Sequence, residues 1–414
     1  MQKYFVRFPS GVSNVEGANR FRLIERSMVA HHAIADDRVL IASLTDEDKN
    51  RLQEAGARVY SDVQFHPAGE AYLESMPSSL QFWDNVKPAG NNPWDGLSQS
   101  DALGSIHVPE AWDVTKGAGV TIVIVDSGVN GSAPEFPLAR QSAESFSLSY
   151  PDGPWVDKLG HGSMMAAIAA GSGPPGGRFA GVAPEATILA ARTNYRATDL
   201  YAIYDRLISK FGNGAIATPI VVNNSYAAGR CNASDELRRD HPYAEMCAKV
   251  VEAGITMVFA AGNNHADMLC GNAAAACGPS TIWGVNSMDE ILSIGAVNWD
   301  RVNTVGAHAN SSRGAGEWAN ITTKPDLVAP SFGQALWRDG YQAWEWWGTS
   351  GSAAVVSGTV ALGLAAAHGC GRQLTPAEIA AQLRATCDGL AGGKLCVGAG
   401  LVNARRFVDW ARTP

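Results

Sequence analysis

The stretch Trp347-Gly348-Thr349-Ser350-Gly351-Ser352-Ala353-Ala354 and the alanine-rich apolar run 355–367 after it decide how this chain is read. The run carries Gly358 and Gly363, which permit close packing, and it reads as a buried helix beginning near Ser350. A hydroxyl there sits at the positive end of a helix dipole, beside backbone N–H groups with no partner inside the helix. Such a place suits a developing oxyanion; equally, serine is among the best N-caps. Only residues elsewhere in the chain can decide between a reactive serine and a capping one.

Upstream, five short runs are almost continuously apolar: 120–125, 187–191, 219–223, 255–260 and 291–297. Strands of that kind are buried on both faces, as in a parallel sheet covered by helices. Helical patterns at 199–210 and 234–253, the second interrupted at Pro242, lie between them. The last helix has Thr375 as cap and Pro376 at its first position, and runs to Thr386. The expected class is α/β with a mostly parallel buried sheet. No internal repeat is present.

In such sheets chemistry gathers at the carboxyl ends of the strands. Asp126 ends the run Thr121-Ile122-Val123-Ile124-Val125 and precedes Ser127-Gly128. A buried carboxylate needs a hydrogen-bonding partner or a cation, which a histidine supplies; a turn-initiating aspartate is the other reading. His161 lies in Gly160-His161-Gly162-Ser163-Met164-Met165, and of nine histidines it alone opens an apolar helix between glycines. A lone histidine is ordinarily structural, but Asp126 and Ser350 occupy equivalent strand-end and helix-start positions. Asn263, in Ala260-Ala261-Gly262-Asn263, is either a Gly-Asn turn or the side-chain donor of an oxyanion hole shared with the Ser350 N–H.

The 414 residues suffice for one large domain and a small one, and 46% hydrophobic content supports a sizeable core. A net charge of -8 with a pI near 5.6 and no dense basic stretch argues against a nucleic-acid partner, and is compatible with basic peptides. The run 355–367 is too short for a membrane span, and the first twenty residues lack the hydrophobic core of a signal peptide. By that measure the protein is cytosolic or its leader lies outside this numbering.

All seven cysteines fall in the C-terminal half. Cys270/Cys277 and Cys387/Cys396 flank Gly/Ala-rich loops, Cys231/Cys247 flank a polar segment, and Cys370 is left over. Three local disulfides suit a secreted or periplasmic protein; they are favoured over free thiols, and over zinc because no CxxC pair or histidine cluster is present, while the connectivity stays open. Residues 1–73 read as a separate α+β unit: Tyr4-Phe5-Val6-Arg7-Phe8 alternates as a strand, Thr45 opens a helix that ends at Gly56, and 58–63 is another strand. Residues 74–96, rich in Pro, Gly, Asn and Ser, read as a protease-accessible linker, and 97–414 as the main body.

The chain order Asp, His, Ser makes a resemblance specific. Val-Asp-Ser-Gly at 125–128, Gly-His-Gly-Ser at 160–163, Ala-Ala-Gly-Asn at 260–263 and Gly-Thr-Ser at 348–350 resemble motifs of the subtilisin-like (subtilase) serine peptidases from about residue 97 onward. Gly181-Val182-Ala183-Pro184 and Lys324-Pro325-Asp326-Leu327-Val328-Ala329-Pro330 match more weakly. The resemblance implies a three-layer subtilisin-like fold, a triad of Asp126, His161 and Ser350 with Asn263 as oxyanion donor, and a zymogen whose first unit is an inhibitory prodomain. It also implies protein or peptide substrates, a monomer, no required cofactor, and structural calcium, for which no acidic cluster has an assignable spacing.

Two departures stand out. The family's Thr-His after Gly162 is Ser163-Met164, and its Met-Ala-Ser-Pro-His after Ser350 is Gly351-Ser352-Ala353-Ala354-Val355. The strand lining the primary specificity pocket corresponds to Ser225-Tyr226-Ala227, with Ala260 and Gly262 beside it. Ala227, where glycine is usual, and Phe259, where smaller residues are usual, are expected to narrow the pocket. Trp344, Trp346 and Trp347 near the nucleophile read as packing residues. A triad-based peptide ligase or macrocyclase, and a non-catalytic scaffold whose first unit permanently fills the cleft, are the alternatives to an endopeptidase.

Overall fold

The structure is a computed structural model describing residues 2–21, 23, 27–28, 39–67, 99–228, 237–264, 280–299, 305–308, 310–320, 323–337, 340–344 and 348–413. It opens with β1 (Gln2–Arg7), α1 (Asn14–Arg20), β2 (Ser27–Met28), β3 (Val39–Leu44), α2 (Asp46–Glu54) and β4 (Arg58–Ser61), whose strands form an antiparallel sheet in the order β2-β3-β1-β4. Alternation along the strands sends Val6, Leu40, Ala42 and Leu44 into a core with Phe8, Leu23 and Leu52, and sends Phe5, Val39 and Ile41 to the other face. The expected helix starts at Thr45 in a reciprocal capping box with Asp48. β5 (Phe65–Pro67) then projects from this sheet as an arm. The expected linker at 74–96 lies outside the described residues.

The main body continues with α3 (Gln99–Gly104), α4 (Val108–Ala111), β6 (Thr121–Asp126), β7 (Phe146–Ser147), α5 (His161–Ala170), β8 (Thr187–Arg192) and α6 (Ala197–Gly212). Next come β9 (Ile220–Asn224), β10 (Tyr226–Ala228), α7 (Pro242–Glu252), β11 (Thr256–Ala260), β12 (Leu292–Trp299), β13 (Val305–Ala307) and β14 (Leu327–Pro330). The chain ends with the hairpin β15 (Gly333–Trp337) and β16 (Gly340–Trp344), then α8 (Gly348–Gly369), α9 (Pro376–Thr386), α10 (Lys394–Val397) and α11 (Ala404–Ala411).

The five apolar runs are β6, β8, β9, β11 and β12, all in one sheet ordered β13-β12-β11-β9-β6-β8-β7 with β14 also on β12. Every pairing in it is parallel except β12 with β13. Adjacent strand residues serve opposite faces: Ile122, Ile124, Val221 and Val258 join the core of α5 and α8, while Val123, Val125, Val222 and Phe259 join that of α6 and α7. The chain runs from β6 out to β7 and β8 on one side and then crosses to β9 on the other. A crevice at a strand-order reversal of this kind opens at the carboxyl end of β6.

The outward face of the first sheet completes the second core: Phe5, Ile41, Tyr60 and Phe65 cluster with Tyr201, Tyr204 and Tyr243. Around that contact Arg7 pairs with Glu245, and the Tyr60 hydroxyl lies 3.3 Å from Asp240 Oδ2.

Three expectations change. The buried helix begins at Gly348, beside Ser350 as expected, but as α8 it has 22 residues and is long and apolar enough to cross a membrane, where the run 355–367 read as too short; its whole apolar window is buried inside the protein. Pro242 does not interrupt a helix; it occupies the first position of α7, behind the cap His241. Cys247 and Cys387 are free thiols, which excludes the local pairs Cys231/Cys247 and Cys387/Cys396. Burial in apolar surroundings pushes the Cys247 thiol above its ordinary range and the Cys387 thiol up to about 12, and Cys387 donates to the Leu383 carbonyl instead. Cys370 is free as expected, Cys396 is disulfide-bonded, and Cys231, Cys270 and Cys277 lie outside the described residues. The cysteine argument for export loses two of its three pairs.

Candidate active site

Asp126 ends β6 with no solvent exposure, and its Oδ1 is the hub of the site. His161 Nδ1 lies 2.7 Å from it, the Ser127 N–H donates at 2.8 Å and the Tyr195 hydroxyl donates at 2.8 Å. Burial of a carboxylate is tolerable only with this density of donors. His161 is the first residue of α5, after Gly160 in the left-handed region at φ 95°. Gly162 is required by the approach itself: a Cβ there would lie 2.1 Å from the Gly128 carbonyl oxygen and 3.0 Å from Asp126 Cβ.

Asp157 fastens the start of α5. It accepts from the N–H groups of Leu159, Gly160 and Ser163 at 3.1, 2.8 and 2.8 Å, and from the hydroxyls of Ser127 and Ser163 at 2.9 and 2.7 Å. Ser163, standing where the family has threonine, therefore keeps the hydroxyl that this network uses. Sequence reasoning passed over Asp157 and Tyr195; the signal for Tyr195 was its place three residues past β8, at another strand end.

Ser350 is the third residue of α8 and has no solvent exposure. Its hydroxyl donates to the Ser225 carbonyl at 3.1 Å, and the Ser225 hydroxyl donates back to the Ser350 carbonyl at 3.0 Å. In place of the family's proline, side chains secure the helix start: Ser331 donates to the Gly348 carbonyl at 2.8 Å, and Ser352 to the carbonyls of Ala329 and Pro330 at 3.0 and 3.1 Å. Asn263 Oδ1 accepts from the Thr349 N–H at 2.9 Å and the Thr349 hydroxyl at 3.0 Å. That leaves the amide NH2 as the end beside Gly348, where an added Cβ would come within 2.1 Å of Asn263 Nδ2. The structure thus joins Asp126 to His161, Ser350 to Ser225, and Asn263 to the residue preceding Ser350.

The expected pocket residues contribute mainly backbone. The Tyr226 side chain is fully buried, its hydroxyl bonded to those of Tyr204 and Tyr243, and burial holds all three phenols well above their ordinary range. Ala260 packs in the core with α8, and Asn286 Nδ2 donates to the carbonyls of Tyr226 and Ala260 at 2.9 and 2.8 Å. Phe259 does not narrow a pocket: it lies on the α6/α7 face, its ring centroid 5.7 Å from that of Tyr226. Gly262 adopts φ 108° and donates its N–H to the Thr349 hydroxyl. Trp346 and Trp347, and the side chain of Trp344, lie outside the described residues.

Ala227 faces the arm. β5 pairs antiparallel with β10, setting Pro67 against Tyr226, His66 against Ala227 and Phe65 against Ala228. On its other edge the same arm bonds to residues 194–197: Phe65 N–H to the Tyr195 carbonyl at 2.8 Å, Ala197 N–H to the Val63 carbonyl at 2.9 Å, and Gln64 Nε2 to the Asn194 carbonyl at 3.1 Å. Residues 63–67 therefore run as a strand between two rails that end beside Asp126 and Ser350. Among the described residues no group of three or more His, Cys, Asp or Glu is placed to hold a metal ion.

A parallel sheet covered on both faces, with an Asp–His pair at its switch point and a serine opening the central helix, is the architecture of a subtilisin-type serine hydrolase. Residues 117–400 match the Subtilase family, and the chain belongs to it. It is 26% identical over 264 residues to Subtilisin-like protease 2 of Trichophyton verrucosum and to that of Arthroderma benhamiae, covering 63% of this chain and 53% of each relative. The chain thus spans about half the length of these curated relatives. Among solved structures it is similar to MycP1 with the N-terminal propeptide removed, at a TM-score of 0.54 and 25% identity over 75% of this chain and 96% of that one.

Proposed function

We propose that this protein is a serine endopeptidase made as a zymogen, with Ser350 as nucleophile, His161 as general base and then acid, and Asp126 orienting the imidazole. The observation that carries the reading is the 2.7 Å contact of His161 Nδ1 with a buried Asp126. With Nδ1–H held by the carboxylate, Nε2 is the nitrogen that takes the serine proton. Substrate binding turns the Ser350 hydroxyl from the Ser225 carbonyl to Nε2; catalytic hydrogen bonds commonly align only when substrate arrives. Attack on the peptide carbonyl develops an oxyanion, which the Ser350 N–H and the Asn263 amide stabilise. Because Thr349 already fixes that amide, little reorganisation accompanies the charge. His161 returns its proton to the leaving amine, and water then resolves the acyl-enzyme.

The first unit is the inhibitor in this proposal. An extended segment held by main-chain bonds between β10 and residues 194–197 occupies the groove as a substrate strand would. Residues 1–73 are then a prodomain, 74–96 the linker that is cut, and 97–414 an exported, monomeric peptidase acting on proteins or peptides. No cofactor is required for its chemistry in this proposal, and no residues are assigned to calcium. Ser225, Tyr226, Ala227, Ala260 and Gly262 form the primary pocket through their backbone.

Occupancy of the groove by β5 also favours a second reading, a scaffold whose cleft stays filled. N-terminal mapping by mass spectrometry separates the two. The zymogen reading expects a cut within 74–96 in the wild-type chain and none in Ser350→Ala. An uncut wild type that hydrolyses no peptide points to the scaffold.

A further inference from the structure

Tyr195 is bonded on both sides of the site at once. Its hydroxyl donates to Asp126 Oδ1 at 2.8 Å, the same oxygen that lies 2.7 Å from His161 Nδ1, while its carbonyl accepts the Phe65 N–H of the strand in the groove at 2.8 Å. It does this from the left-handed region, at φ 59°, one of two described non-glycine residues found there. A bulky aromatic is strained in that conformation, which persists only where surrounding contacts over-determine it. Those contacts are present: Thr193 Oγ1 accepts the Tyr195 N–H at 2.9 Å, and Asp199 Oδ2 accepts from Thr193 Oγ1 and the Asn194 N–H at 2.7 and 3.1 Å. The residue is 7% exposed, and its ring meets Tyr226 edge-on, with centroids 5.9 Å apart.

We propose that Tyr195 is a positioning residue for the triad aspartate, and that it links the main chain of a peptide in the groove to the orientation and charge of Asp126. The inference rests on the peptidase reading for its use, but the coupling itself is a property of the Tyr195–Asp126–His161 chain. The hydroxyl proton draws negative charge toward itself on Oδ1, weakening the hold of Asp126 on the His161 proton. A peptide bonded to the Tyr195 carbonyl fixes the backbone from which that hydroxyl reaches. The other groups facing the pair stay in place when the hydroxyl is removed. They are Asp157 through Ser127, Arg192 with its partner Asp152 beside Gly128, Asp199 behind Thr193, and the phenol of Tyr226.

The test is Tyr195→Phe, which deletes one oxygen and keeps the ring. In full-length chains carrying Ser350→Ala, so that no processing intervenes, the His161 imidazole is titrated by NMR. Without the phenol, Asp126 holds the imidazolium more strongly, and the midpoint rises by about one pH unit. In the Ser350-bearing chain the acid limb of kcat/KM for a peptide substrate moves up by the same amount, while KM stays within about twofold because the Tyr195 carbonyl is unchanged. A purely structural role lowers the melting temperature without moving either titration. An unmoved His161 midpoint overturns the proposal. A raised midpoint in a chain whose wild type hydrolyses nothing upholds the coupling and overturns the peptidase reading instead.

Discussion

Lowering the pH below 6.5 should loosen the first unit from the main body, and His241 is the group responsible. It caps α7, with Nδ1 accepting the Tyr243 N–H at 3.1 Å and Nε2 lying 3.0 Å from the Ser61 carbonyl oxygen. Both contacts are satisfied only by the neutral ring with its proton on Nε2. Phe5 and Tyr60 of the first sheet cover it edge-on, with centroids 4.9 and 5.5 Å away. Burial at this contact lowers its pKa from 6.5 to about 4, and the nearby Arg7 acts in the same direction. Undocking returns the ring to water. A histidine whose pKa is depressed in the docked state supports docking fully above about 6.5, progressively less as the pH falls, and not at all below about 4. At 1.36 kcal/mol per unit the full loss is about 3 kcal/mol, of which about 2 kcal/mol is reached at pH 5. The assay is hydrogen exchange at Phe5 and Ile41 in full-length Ser350→Ala chains at pH 7.5 and 5.0, with and without His241→Asn. Asparagine still caps a helix but does not titrate. The histidine chain should lose about 2 kcal/mol more protection across that interval than the asparagine chain. Equal losses in the two chains would mean that His241 is not the titrating group, because the carboxylates Asp240 and Glu245 are common to both.

Three further outcomes follow from the geometry. Asn263→Ala should lower kcat about 10²- to 10³-fold, as loss of the oxyanion asparagine does in subtilisin, with little change in KM, checked by steady-state kinetics on the processed enzyme. Gly162→Ala drives a methyl into the Gly128 carbonyl and should cost about 1–3 kcal/mol by thermal melting, with peptide hydrolysis lost as α5 moves away from Asp126. Phe65→Ala removes a fully buried ring that packs 4.9 Å from Tyr243, weakening arm docking by about 3–5 kcal/mol, so the uncut chain should hydrolyse small peptides faster than uncut wild type.

The sheet was legible because strands buried on both faces carry apolar residues at consecutive positions, with polar residues only at their ends, which sets β6, β9 and β11 apart from any amphipathic pattern. Asp126, His161, Asn263 and Ser350 stood out in the sequence because each lies within two residues of a glycine at a strand end or a helix start, where the backbone needs room. The strand-end rule applied to β8 as well would have reached Tyr195. The direction of Phe259 was open to parity, since it and Ala260 are adjacent on β11 and must serve opposite faces. Cysteine pairing was not legible. Nearness along the chain does not bring Cα atoms to bonding distance, and Cys247 instead faces the buried tyrosines from the inner side of α7. The docking of the first sheet was hidden for a different reason. β3 is apolar on both of its faces, and sequence alone does not say that Val39 and Ile41 are covered by α6 and α7, not by helices of their own unit.

In the proposed mechanism Asp126, His161 and Ser350 act as one proton-transfer line ending at a serine oxygen. A fluorophosphonate probe, with the modified residue mapped by peptide mass spectrometry, tests it most directly. One adduct is expected, on Ser350, in the processed wild-type enzyme and none in His161→Ala, where the serine is intact but has no base. Labelling at another residue, or undiminished labelling of Ser350 in His161→Ala, would contradict it.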